Sequence, residues 1–358
     1  MIMDDVYLKL RKRLDDFASG FPETKSGIEI RILKKIFSQD EAELFVNLSP
    51  LPETPADTAM RLGLDPDETG KRMHKMADKG LIFRLVKGKS VRYCAVPFVP
   101  GIYDFQVNSI DKALAEDVKS YNNEGFGKSI QGHSIPIMRT IPVNRKLAVK
   151  WPIAPYDDAL RIIEDQKTIA VAPCICRIKS GLLNESCGKP VETCFMFGSQ
   201  AAYYVDNHMG RYIGKEEAAR IITENEKAGL VLQPFNAKNT GVMCSCCGDC
   251  CEMLGSLKRQ PSPAASVKSN YFAAVETESC SCCGTCIGRC QMDAVNIDAG
   301  AAYIDLNRCI GCGLCVSTCP DNALSLIRKK KEDLYHPPET KGEMFLMLAM
   351  ERNKNPLL

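Results

Sequence analysis

At 358 residues the chain has room for two or three domains with real cores. Its hydrophobic share of 45% and charged share of 25% exclude a disordered chain, and the absence of any long apolar run excludes a membrane bundle. A formal charge of +2 selects no partner by its field, while 19 cysteines with no charged-then-apolar leader point to a reducing cytoplasm in which thiolates bind metal.

Residues 1–20 read as a short amphipathic helix, and Leu33–Phe37 and Ala42–Leu48 are apolar runs with helical spacing. Thr54-Pro55 opens a helix with Asp57 at N3 and Gly63 at its end; Asp65-Pro66-Asp67-Glu68 opens the next with an N-cap, an N1 proline and a capping-box Glu, and Gly80 stops it. Leu81–Val86, the turn Lys87-Gly88-Lys89-Ser90 and Val91–Val96 form a hairpin by alternation. This order resembles the winged-helix domains of MarR-like and ArsR-like proteins, which implies a domain over residues 1–100.

The resemblance also implies a recognition helix presenting Lys71, Arg72, His74, Lys75 and Lys79, and a wing with Arg84, Lys87, Lys89 and Arg92, to nucleic-acid phosphates. Against DNA as partner, residues 28–100 hold 12 Lys and Arg against 10 Asp and Glu, and Asp67, Glu68 and Asp78 share that helix. Docking or oligomerisation through this scaffold is therefore the expected use. Cys94, alone in the wing, reads as a small buried hydrophobe.

Residues 101–155 read as a connector, with an amphipathic helix over Ile110–Tyr121 and a Gly-, Ser- and Pro-containing stretch from Asn122 to Asn144 that is apolar enough to pack. Residues 156–260 are expected to form a central cysteine-rich α/β domain: a helix over Asp157–Gln166, a strand at Thr168–Ala172, a helix over Glu216–Ala228 and a strand at Leu230–Leu232. Nine cysteines fall within it, too many for core filler. Four of Cys174, Cys176, Cys187, Cys194, Cys244, Cys246, Cys247 and Cys250 are expected to make a metal site. A third iron–sulfur cluster, a structural Zn and a redox dithiol all remain open, since thiolate-only sites suit either metal. Arg177 can place positive charge beside the first pair.

Cys280, Cys283, Cys286, Cys290 and then Cys309, Cys312, Cys315, Cys319 repeat C-x2-C-x2-C-x3-C at an offset of 29 residues, which continues into Asp293-Ala294-Val295 against Asn322-Ala323-Leu324. Zinc ribbons use two separate C-x2-C pairs, and disulfides need an oxidising compartment, so the unbroken run points to iron–sulfur ligation. Residues 270–328 resemble a bacterial-type ferredoxin domain. The resemblance implies two [4Fe-4S] clusters, one on Cys280, Cys283, Cys286 and Cys319 and the other on Cys309, Cys312, Cys315 and Cys290. Gln291 departs from the family, which usually has proline there as at Pro320, and implies a looser turn with no lost ligand. In the tail, 329–358, a basic run gives way to an apolar helical patch at Met344–Met350.

The expected fold is α+β and multidomain: winged helix, central cysteine-rich domain and dicluster ferredoxin module. No Ser–His–Asp set, paired carboxylates or nucleotide loop stands out, so substrate chemistry is not visible. The expected function is single-electron relay as a carrier or subunit of an anaerobic oxidoreductase system, with redox proteins as partners. The alternative is a redox-responsive winged-helix transcriptional regulator.

Overall fold

The computed structural model describes residues 2–129, 133–143, 153–355 and 357; parts of the expected connector, 130–132 and 144–152, lie outside the described residues. The N-terminal half runs α1 (Ile2–Asp15), α2 (Ile28–Ile36), α3 (Gln39–Val46), α4 (Pro55–Leu62), α5 (Pro66–Asp78) and a hairpin of β1 (Phe83–Lys87) and β2 (Ser90–Cys94). Ser38 with Glu41 and Thr54 with Asp57 close full capping boxes on α3 and α4. At α5 only half of the expected box forms: Asp65 accepts from the Glu68 amide, and no return bond closes it. Helix α6 (Lys112–Tyr121) follows, capped by Asp111.

The central sheet holds β3 (Ile169–Pro173), β4 (Glu192–Phe197), β5 (Arg211–Ile213), β6 (Val231–Pro234) and β7 (Val242–Cys246) in the order β5-β3-β4-β7-β6. Every pairing is antiparallel, which corrects the expectation of an α/β domain: helices lie between β3 and β4, β4 and β5, and β5 and β6, yet no two neighbouring strands run parallel. Strands β4 and β7 escaped the sequence reading because their cysteines looked like metal knots rather than strand positions.

Both faces of this sheet are covered. Ala170, Ala172, Cys194 and Met196 face a core that also contains Leu10, Ile32, Phe45, Phe98, Tyr121 and Leu348, so the N-terminal half packs directly on the sheet. The alternate residues Ile169, Val171, Phe195 and Phe197 face a second core with Ile221, Leu254, Ile310 and Leu314. The helix Ser199–Asp206 ties the halves together: the Tyr203 hydroxyl lies 3.0 Å from Ala77 O and 2.9 Å from Ile82 O, and Arg84 donates to Asn207 at 2.8 Å.

The C-terminal module pairs β8 (Tyr271–Val275) with β11 (Leu324–Arg328) and β9 (Val295–Asp298) with β10 (Ala301–Ile304). The last helix, Lys341–Glu351, returns to the N-terminal half, burying Met344, Leu348 and Ala349, and Arg352 pairs with Asp15 at 2.9 Å. No helix among the described residues is long and apolar enough to cross a membrane.

Candidate metal centres

In the C-terminal module the duplicated sequence becomes a duplicated backbone. Left-handed residues recur at the 29-residue offset: Cys282 and Gly311, Gly284 and Gly313, Asp293 and Asn322. Gly311 is required outright, since a Cβ there would meet Tyr271 O at 2.1 Å. Gly284 and Gly313 each start a short helix that carries the third cysteine of its run.

Two small cavities result. One is lined by Cys280, Cys283, Cys286 and Cys319, with Cys282 beside them; the other by Cys290, Cys309, Cys312 and Cys315. The fourth cysteine of each run thus joins the other run's three. Backbone amides reach the sulfurs in symmetry-related fashion: Ala273 N to Cys309 Sγ and Ala302 N to Cys280 Sγ, both 3.4 Å, and Ala294 N to Cys290 Sγ at 3.2 Å. Such amides stabilise thiolates and raise the potential of a bound cluster. Burial pushes the Cys312 thiol up to about 12 and raises Cys309 and Cys315 as well, so thiolates there call for the positive charge that iron supplies. At the exposed end, hydrogen bonds from the Thr285 hydroxyl and amide lower Cys283.

Residues 302–325 match the family model of the 4Fe-4S binding domain. The chain contains a ferredoxin-type iron–sulfur domain. Comparisons of the chain with curated proteins and with solved structures gave no match.

The nine central cysteines separate into two groups. Cys174 caps the helix Ile175–Leu182 at the end of β3, and Cys176 lies in that helix's first turn. Cys194 sits on β4 opposite Ala172, Cys244 and Cys246 alternate on one face of β7, and Cys251 caps the helix Glu252–Lys258. These six line one cavity, and each interacts with two others around a closed ring in the order 174, 176, 251, 246, 244, 194.

The ring thiols shift one another's pKa in opposite directions. Cys244 accepts from Cys194 and Cys246 and comes down to about 7, and Cys251 accepts from Cys176 and Cys246 and is lowered too. Cys176 and Cys246 donate to both neighbours and, being buried, are raised. Cys174 and Cys194 each accept one bond, which lowers them, but the bond each donates and their burial leave both raised.

The second group is Cys187, Cys247 and Cys250, whose sulfurs all lie within 4.8 Å of one another, with Cys187 and Cys247 3.8 Å apart. A tetrahedral thiolate site with metal–sulfur bonds of about 2.3 Å has edges of about 3.8 Å, so this triad is sized for one ion. Burial pushes Cys250 up to about 12. Cys187, despite some burial, lies below the ordinary thiol value because the Lys189 amide and the other two thiols donate to it.

Adjacent residues explain the division. In Cys246-Cys247 and Cys250-Cys251 neighbouring side chains diverge, one to the ring and one to the triad. The sequence pools eight of these cysteines without Cys251, which closes the ring; the two adjacent pairs are the signal that separates the groups.

Buried cations stand by both groups. Arg177 donates to Thr193 Oγ1 at 2.6 Å and Ser245 O at 2.8 Å, and although burial lowers its pKa, the nearby Cys174, Cys247 and Cys246 raise it. Lys179 pairs with Glu252, and burial lowers it. The ring cavity holds about 130 Å³, far more than one water needs. Its other walls are mostly apolar and aromatic, with Asp104, Asn122, Gln200, Glu252 and Lys341 as polar exceptions. Burial raises Asp104 to about 6, and the Lys341 ammonium lies 5.6 Å from the Phe345 ring.

Proposed function

We propose that the protein relays single electrons through two [4Fe-4S] clusters, as a carrier or subunit of an oxidoreductase system. One cluster is held by Cys280, Cys283, Cys286 and Cys319, the other by Cys290, Cys309, Cys312 and Cys315. The observation that carries this reading is that each cavity is lined by three cysteines of one run and the fourth of the other. When bound, such clusters exchange one electron each at potentials set by their hydrogen bonds and burial. The chain's own contribution is to supply eight thiolates and the amides of Ala273, Ala294 and Ala302.

The cluster on Cys290, Cys309 and Cys312 is the one that faces inward. Those three cysteines pack against the core that contains Cys246 and Cys251, which favours a central domain that exchanges electrons with the module. The ion-sized triad of Cys187, Cys247 and Cys250 is assigned to Zn, with a structural role.

The N-terminal half, read as a winged-helix scaffold over residues 1–100, serves here for docking. Arg72 donates to Asp40 O at 3.0 Å, Lys79 pairs with Glu41 at 2.7 Å and Arg84 with Asp78 at 2.6 Å, so three of the cations expected to meet phosphates are engaged within the protein. A mobility-shift assay on the gene's own upstream DNA, in both oxidation states, is expected to show no salt-sensitive complex.

The test of the electron-transfer reading is an anaerobic titration of the full chain with a low-potential reductant, followed optically and by electron paramagnetic resonance. Cubane signals that appear on reduction are expected, and Cys283→Ala is expected to lose about four irons, one cubane's worth. A chain whose iron does not respond to the reductant would overturn the reading.

A further inference from the structure

We propose that the six-thiol ring holds an iron–sulfur cluster of more than four irons, bound by Cys174, Cys176, Cys194, Cys244, Cys246 and Cys251 and facing the interior chamber. The inference rests on the iron–sulfur reading of the chain and goes beyond its two ferredoxin clusters.

The ring is too large for one ion. A tetrahedral ion takes four thiolates, and the neighbouring triad already supplies an ion-sized set within 4.8 Å. Nor does a single cubane use the ring up, since its four irons take one terminal thiolate each. Two thiols would then be left inside the protein, in contact with ligated neighbours and without a role. All six line the same cavity. Six converging thiolates match a larger cluster with six terminal positions.

Two buried donors next to the ring lack acceptors. The Tyr103 hydroxyl is 2% exposed, lines the cavity and has no hydrogen-bond partner among the described residues. The Arg177 Nε–H is likewise unpartnered among them, although the rest of that guanidinium is satisfied. A buried donor without an acceptor is unfavourable. Bridging sulfides and thiolates of a cluster in the ring are acceptors of the needed kind, and Arg177 and Lys179 supply positive charge beside it.

The ring is also placed to communicate with the ferredoxin module. Gly248, in the turn between the ring cysteines Cys246 and Cys251, donates its amide to Gln291 Oε1 at 2.8 Å, directly after the module's Cys290.

The deciding experiment counts iron, acid-labile sulfide and zinc per full-length chain purified without oxygen, with Mössbauer spectra of the same samples. About eight irons belong to the ferredoxin module, so the expected total exceeds about twelve. A total of about twelve would mean an ordinary cubane in the ring, and about eight no cluster there; either overturns the proposal while leaving the ferredoxin reading intact. Fewer than about eight, without cubane spectra, would overturn the ferredoxin reading and this proposal with it.

Variants separate the ring from the rest. Cys176→Ala is expected to lose at least a third of the iron and keep the module's cubane spectra. Cys187→Ser, in the triad, is expected to lose the zinc and no iron; loss of ring iron from it would overturn the separation of the two sites. Tyr103→Phe, which keeps the packing and removes the hydroxyl, is expected to retain full iron and shift the ring cluster to a more negative midpoint potential. An unmoved potential would remove Tyr103 as its donor.

Discussion

The Asp117 carboxylate of α6 lies 2.6 Å from Arg31 and 2.7 Å from Lys35 of α2. Although its burial raises its pKa, hydrogen bonds from these two cations bring it below the ordinary value. A depressed carboxylate adds stability that is present above the unfolded pKa, near 4, and lost as the pH falls through the folded one. With Arg31 largely exposed, Asp117→Asn is expected to cost only about 1 kcal/mol at pH 7, shrinking toward zero as the pH is lowered below about 4. Urea unfolding of both proteins across that range checks it.

Gln291 is a second residue whose role is set by its partner. The sequence reading took it as a missing proline and a looser turn, but its side chain accepts from the Gly248 amide and fixes the module to the central cysteines. Gln291→Ala leaves that amide without its acceptor and is expected to cost about 1 kcal/mol, so Gly248 should exchange its hydrogen roughly fivefold faster. Gln291→Pro, which restores the family residue, is expected to show the same loss. The eight module cysteines were legible beforehand because short turns of one duplicated segment carry them. Gln291 was not, because its partner lies 43 residues away.

At the scale of elements, caps, turns and hairpin were readable because each depends on residues three or four apart. Thr54 with Asp57 and the hairpin pair Lys87 with Ser90 are examples. The central sheet was less so. Its strands β4 and β7 bring cysteines to sites built from both faces, and their alternation was hidden by the repeated residue type. Tyr203 connects two elements that no local rule joins, lying within reach of the last carbonyls of α5 and of the segment entering β1. Tyr203→Phe is expected to destabilise the protein by about 1–2 kcal/mol with metal content unchanged, as read by denaturant unfolding and iron assay.

A buried arginine plays the corresponding part beside the end of β6. Arg139 is 1% exposed, donates to Phe235 O at 2.6 Å, Ala237 O at 3.1 Å and Tyr156 O, and pairs with Asp157 at 3.5 Å. Asn270, at the entry to the ferredoxin module, donates to the same Asp157 at 2.9 Å. Arg139→Met strands these acceptors and the carboxylate, with an expected cost of roughly 3–5 kcal/mol in the same unfolding measurement.

Over the whole molecule, the N-terminal half, one face of the central sheet and the last helix share a single core, so the segments read as separate domains cooperate. Phe345 and Lys341 of that helix line the ring chamber. Ending the chain before Lys341 should open the chamber and lower the unfolding temperature of the shared core by several degrees, while the module retains its iron. Calorimetry with iron analysis reads both.

The sequence by itself determined the iron–sulfur chemistry of the C-terminal module, its internal duplication and the helix–hairpin order of the N-terminal half. These rest on spacing and local hydrogen bonds, which a linear chain states directly. Tertiary structure alone decided that nine central cysteines form a ring of six and a triad, that Cys251 closes the ring, and that Tyr103 faces it. Those groups come from two strands, two helix starts and loops far apart in the chain. Only the antiparallel pairing of β3, β4 and β7 brings their sulfurs together.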